Sequence, residues 1–342
     1  MADELRILIC SYLEDEVVAR IAAVPGVEVL NTPELLPVPA YPCDHNGPAR
    51  VLDEEQHRRW RSLLQVADVC FDFDWEDPAR MPERAPLVRW VQATSAGIGG
   101  FMERTKLADW NVLVTTASGV HAAPLAEWVV TGVLYFVKDI PDVQARQAAH
   151  RWERMAMGAL AGRRALIIGV GNVGRAAASA LKALGVEVWG IDRPGVSRDL
   201  PQFARIGYAD EMGELLSRCD ILVLSCPLTA ETRGLIGAAE LAALGPECIL
   251  VNIARGPVVD EPALVEALQG RRLRGAVLDV VADEPLSANS PLWDLDNVLL
   301  TPHSASTITY ENAALVELFL DNLDRFRSER PLRNLYDSSR GY

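Results

Sequence analysis

The residues that most restrict this chain are Gly169-Val170-Gly171-Asn172-Val173-Gly174, because a GxGxxG loop constrains the backbone on both of its sides. It follows the apolar run ALIIGV, opens the helical stretch NVGRAAASALKALG, and precedes a second strand candidate that ends at Asp192. Strand, glycine turn, helix and acidic strand end are the parts of a dinucleotide-binding unit. Gly169 permits the tight turn, Gly171 lets a pyrophosphate approach the backbone, and Gly174 lets helix and strand pack closely. Asn172 and Val173 then stand at the helix N-terminus, whose N–H groups face the negative charge. Asp192 would bond the ribose hydroxyls and repel a 2′-phosphate, which favours NAD over NADP. Arg193 is either a solvated neighbour of the adenosine or a group that attracts such a phosphate.

The loop belongs to a series. ALIIGV (165–170), EVWGID (187–192), ILVLSC (221–226), CILVNIA (248–254), GAVLDVV (275–281) and VLLTPH (298–303) are near-continuous apolar runs, as strands buried on both faces require. Upstream, shorter β-rich runs at Arg6–Cys10, Val27–Asn31, Val69–Phe73, Leu87–Ala93 and Val112–Thr116 alternate with polar helical stretches, which predicts a second parallel sheet. Pro33, Pro37, Pro39, Pro42 and Pro48 mark an irregular segment that either borders a ligand or is a plain surface loop. Helix periodicity returns over 307–327.

At 342 residues, two domains are expected. A net charge of −14 disfavours nucleic acid and anionic membrane surfaces as partners. Asp3 and Glu4 stand where a signal peptide carries positive charge, and the apolar stretch 124–137 is too short to span a bilayer, so a cytoplasmic protein is expected. The six cysteines show no metal-ligand spacing and read as reduced core thiols. His45, His57 and His150 sit in polar contexts without a partner motif.

A nicotinamide oxidoreductase needs a group that polarises a carbonyl, an acid/base and a partner that tunes it, all at strand C-termini. Arg255, Glu284 and His303 have that placement. Each also has a plainer reading: Arg255 as a partner of Asp260, Glu284 as a turn residue before Pro285, His303 as a core histidine. Asp279 lies within an apolar run, where a carboxylate is costly unless it is paired or meets a ligand amide.

The segments GVGNVG, SCPLTAETRGLI, VNIARGPVVDEPALVEAL, LDVVADEPL and TPHSAS, in this order, resemble the D-isomer-specific 2-hydroxyacid dehydrogenases. The resemblance implies two doubly wound α/β domains: a Rossmann NAD-binding domain over 117–305, inserted in a discontinuous flavodoxin-like substrate domain of 1–116 and 306–342. It implies that Arg255 holds the substrate's carboxylate and carbonyl oxygen, that Glu284 pairs with His303, and that His303 is the acid/base. Asp279 would meet the nicotinamide carboxamide, Pro227 and Thr232 would line the cofactor cleft, and Ile253 and Ala254 would lie beside the nicotinamide ribose. Ser95, Ala96 and Gly97 resemble the family's substrate loop, with successive N–H groups for a carboxylate. The expected ligands are NAD and a small 2-oxo or 2-hydroxy acid. A two-fold homodimer through the apolar 124–137 stretch is expected, as is the absence of a regulatory extension beyond Tyr342. An NAD(H)-sensing protein of the corepressor type, on the same fold but without turnover, is the alternative.

Overall fold

The computed structural model describes residues 4–193 and 200–340; Asp3 and Tyr342 lie outside them. The chain divides into two compact units, one of residues 1–120 with 307–342 and one of residues 121–306.

In the first unit, β1 (Leu5–Ile9), β2 (Val27–Leu30), β3 (Val69–Phe71), β4 (Trp90–Gln92) and β5 (Leu113–Thr115) form a parallel sheet in the order β2-β1-β3-β4-β5. This is the flavodoxin-like winding, which reverses direction at β1. The helices are α1 (Asp15–Ala22), α2 (Glu54–Val66), α3 (Met81–Arg84), α4 (Gly99–Thr105) and a closing helix, Glu311–Arg327. A capping box starts α2: Gln56 N–H donates to Asp53 Oδ1 at 2.8 Å, and Asp53 N–H donates to Gln56 Oε1 at 2.9 Å. The closing helix is held by aromatic packing, with Phe319 stacked on Trp90 at 4.9 Å and edge-on to Phe71 at 5.4 Å. Buried Asn322 fixes its register, donating to Gln92 Oε1 and Arg333 O and accepting from Arg333 N–H.

The second unit contains α5 (Ala122–Val137), α6 (Ile140–Ala148), β6 (Arg164–Ile168), α7 (Asn172–Ala183), β7 (Glu187–Ile191), β8 (Arg205–Gly207) and α8 (Met212–Leu216). They are followed by β9 (Ile221–Leu224), α9 (Ala238–Ala243), β10 (Ile249–Asn252), α10 (Glu261–Gln269), β11 (Gly275–Leu278) and β12 (Val298–Leu300). Its parallel sheet runs β12-β11-β10-β9-β6-β7-β8, a Rossmann winding whose order reverses between β6 and β9. Strand β8 escapes the sequence reading because its three residues, Arg-Ile-Gly, carry no apolar run.

Much of the apolar helix α5 packs within its own unit. Leu125, Val129, Val133, Phe136 and Val137 are buried, and a Cβ on Gly132 would meet both Val277 methyls at 2.6 Å. Trp128, Val130, Leu134 and Tyr135 on the same helix are only partly buried, and on the irregular segment 151–159 Trp152 is fully exposed and Met157 about half exposed.

Phe319→Ala would remove a fully buried ring from three-way aromatic packing. The expected loss is about 3–5 kcal/mol, read from the first unit's denaturant midpoint. A loss below about 1 kcal/mol would show that this helix does not anchor the unit.

Candidate active site

The C-terminal ends of β6 and β9 build one half of the site. Gly169 adopts φ +100°, and a Cβ there would lie 2.7 Å from Cys226 N, so only glycine fits. A Cβ on Gly174 would come within 2.0 Å of Gly169 O. Ser225, which the sequence reading passed over, donates its hydroxyl to Gly169 O at 2.8 Å and ties the turn to the neighbouring strand. Above Gly171 the space is open, since a Cβ there would meet no atom within 4 Å. No side chain caps α7 at Gly171, and Asn172 and Val173 follow as its first residues. An open approach over an uncapped helix N-terminus fits a dinucleotide's pyrophosphate.

Asp192 follows β7, half-buried, with Oδ1 accepting from Arg193 N–H at 2.8 Å, while the Arg193 side chain is exposed. After β9, Thr232 closes the CPLTAET loop: its hydroxyl donates to Pro227 O at 2.7 Å and accepts from Thr229 N–H at 2.8 Å.

The ends of β10, β11 and β12 carry the charged groups. Asn252, buried at the end of β10, folds the loop that follows: Nδ2 donates to Arg255 O at 3.2 Å, and Oδ1 accepts from Ala254 N–H at 3.1 Å. Ile253 and Ala254 are buried, and Arg255 Nη1 donates to Ala254 O at 2.7 Å. Asp260 is occupied in capping α10 through Ala263 N–H. Gly256 brings this loop onto the next one, because a Cβ there would sit 1.8 Å from Val281 O. Burial pushes the Arg255 guanidinium below its ordinary pKa, and the Glu284 and Asp279 carboxylates oppose that shift. It nonetheless stays a cation.

Asp279 is 3% exposed, and its Oδ1 accepts from the Thr301 hydroxyl at 2.8 Å and from Ser304 and Ala305 N–H at 2.9 Å each. No hydrogen bond from the described residues reaches Oδ2, which leaves it able to accept from a ligand amide. His303 sits at φ +52°, with its N–H donated to Asp279 O at 2.8 Å. Its Nδ1 lies 2.8 Å from Glu284 Oε2, and the two side chains are 42% and 38% exposed. Arg255, Asp279, Glu284 and His303 are thus brought together; Glu284 also accepts from Val281 N–H at 3.3 Å in its own turn, and His303 is too exposed for a core histidine.

Ser95, Ala96 and Gly97 belong to the first unit, exposed in the loop between β4 and α4, with Ser95 O accepting from Ala117 N–H. Two histidines read as partnerless are in fact paired: His45 Nδ1 with the Ser11 hydroxyl at 2.6 Å, and His57 Nδ1 with Glu76. Both partners are remote in sequence, so no local motif could have shown them.

Residues 130–305 match the family described as "D-isomer specific 2-hydroxyacid dehydrogenase, NAD binding domain". Glyoxylate/hydroxypyruvate reductase A of Klebsiella pneumoniae (strain 342) is 33% identical over 83% of this chain and 91% of its own length. D-3-phosphoglycerate dehydrogenase of Methanocaldococcus jannaschii is 34% identical over 68% of this chain, and the match spans 44% of that longer protein. Among solved structures, a D-isomer specific 2-hydroxyacid dehydrogenase from Xanthobacter autotrophicus Py2, in complex with NADPH and MES, is 30% identical with a TM-score of 0.79, and the alignment covers 100% of both chains. With the fold, the strand-end residues and these likenesses in agreement, the chain belongs to the D-isomer specific 2-hydroxyacid dehydrogenases, oxidoreductases that act on small 2-oxo and 2-hydroxy acids with a nicotinamide cofactor.

Proposed function

We propose that this protein uses NAD to interconvert a 2-oxo acid and a D-2-hydroxy acid, with His303 as acid/base, Glu284 as its partner and Arg255 as the substrate's cation. The observation that carries this reading is the His303–Glu284 pair. With Nδ1 committed to Glu284, Nε2 is the nitrogen left to exchange a proton with substrate, and the ring is exposed enough to be reached. In reduction, the bound cofactor supplies the hydride to C2. His303 Nε2 gives the proton to the carbonyl oxygen, and Arg255 stabilises the negative charge developing there. Ser95–Gly97 offer backbone donors to the substrate carboxylate. Gly169, Gly171, Asn172, Val173 and Gly174 would receive the pyrophosphate. Asp192 and Arg193 would lie with the adenosine, Pro227, Thr232, Ile253 and Ala254 would line the cofactor's path, and Asp279 Oδ2 would accept from the carboxamide.

Following NADH absorbance with glyoxylate, hydroxypyruvate, pyruvate and phenylpyruvate tests the reaction. Tight NADH binding without turnover on any of them would favour the sensing alternative. His303→Ala should lower kcat by at least about 10²-fold. Glu284→Gln keeps the shape but removes the charge that orients and supports the protonated ring. It should cost about tenfold in kcat/KM while leaving NADH affinity nearly unchanged. Full activity in either variant would overturn the assignment.

Asp192 supports NAD as the cofactor, because a 2′-phosphate would be placed against a carboxylate. NADH should be preferred over NADPH by at least about tenfold in kcat/KM, which equal use of both would contradict.

The apolar side chains Trp128, Val130, Leu134 and Tyr135, only partly buried on the 124–137 helix, support a two-fold homodimer through that stretch. Light scattering should give about twice 37.4 kDa at micromolar concentration, and Tyr135→Ala should weaken association by at least about tenfold. A monomer mass for the native chain would contradict it.

A further inference from the structure

Glu284 stands in a stretch of chain that has little of its own to hold it. Strand β11 ends at Leu278, and the next regular element, a short 3₁₀ turn, starts only at Pro291. Among the described residues, no backbone carbonyl accepts from the N–H groups of 280–284, and no carbonyl of that stretch accepts from a backbone N–H. The N–H groups that are bonded there go to carboxylates. Val281 N–H donates to Glu284 Oε1 at 3.3 Å, which folds the turn on itself. Ala282 N–H donates to Glu261 Oε2 at 2.7 Å, a charge-assisted bond of the stronger class. Glu261 is the first residue of α10 and is half-buried, and that helix is seated in the core by Leu264, Ala267 and Leu268. On its other side the turn meets Gly256, where a Cβ would sit 1.8 Å from Val281 O. Contact stops the turn from moving inward but not outward. Among the described residues, the Glu261 bond is the one polar tie from the rest of the unit to the turn's backbone.

Resting on the reaction proposed above, we propose that Glu261 is a positioning residue: from the fixed end of α10 it holds the 281–284 turn, through Ala282 N–H, where Glu284 meets His303. Glu284 spends Oε1 within the turn and Oε2 on His303 Nδ1 at 2.8 Å, so the direction of its carboxylate follows the turn's backbone. The two side chains are 42% and 38% exposed, and packing alone leaves side chains that open free to change rotamer. Asp279 fastens the histidine's side of the pair, and Glu261 fastens the carboxylate's side. Its effect on the chemistry passes through the backbone of the turn.

The test follows reduction of the best of glyoxylate, hydroxypyruvate, pyruvate and phenylpyruvate, together with hydrogen exchange at the Ala282 amide. Glu261→Ala should lower kcat/KM about tenfold, chiefly through kcat, and should speed exchange of that amide by about tenfold or more. Glu261→Gln keeps an oxygen acceptor at the same reach and should recover most of both losses. In a Glu284→Ala background the turn has no carboxylate left to position, so adding Glu261→Ala should change kcat/KM by less than about twofold. Damage to the fold alone would instead cost the same factor with and without Glu284. That result, full activity in Glu261→Ala, or a Glu261→Gln variant as impaired as the alanine one overturns the positioning role and leaves the reaction standing. No turnover of any 2-oxo acid by the native enzyme overturns both.

Discussion

A carboxylate buried at the end of an apolar strand is costly unless its hydrogen bonds are made, and those of Asp279 hold the charged end of the site together. Its Oδ1 takes three donors from the segment after β12, and its backbone carbonyl takes the His303 N–H. These bonds fasten the turn in which His303 adopts its left-handed conformation. One oxygen thus does structural work while the other has no donor among the described residues. The same residue can position the histidine and present an acceptor to a ligand.

Close backbone approach is the second constraint. At Gly169, Gly174 and Gly256 a Cβ would come within 2.7, 2.0 and 1.8 Å of backbone atoms, distances no side chain can satisfy. The first two seat the turn between β6 and α7 against the end of β9. The third lays the Arg255 loop on the chain after β11, setting the guanidinium in the field of Glu284 and Asp279. Ser225 and Asn252 complete these turns by bonding carbonyls and N–H groups that the bends leave exposed to one another.

The first unit applies the same design with different side chains. Its parallel strands deliver Ser11, Asp72 and Thr94 to one edge, and a long irregular segment supplies His45. A parallel sheet buried on both faces can expose chemistry only at its ends, so the side chains available for recognition are those just past each strand.

The apolar runs determined both parallel sheets, because strands covered on two faces cannot alternate in polarity. The glycine spacing determined the dinucleotide turn, because few other sequences permit that backbone. That Arg255, Glu284 and His303 stand past strand ends was legible from the apolar runs before them. The pairing of His45 with Ser11 and of His57 with Glu76, the bonds of Ser225 and Asn252, and the strand β8 were not legible, since each depends on partners far along the chain or on a segment too short to carry a periodic signal. Sequence could not say which apolar side chains of α5 face inward; the structure buries Leu125, Val129, Val133, Phe136 and Val137 and leaves Trp128, Val130, Leu134 and Tyr135 only partly covered. Hydrophobicity says that a residue will be covered; only the packed structure decides whether its own domain provides the cover.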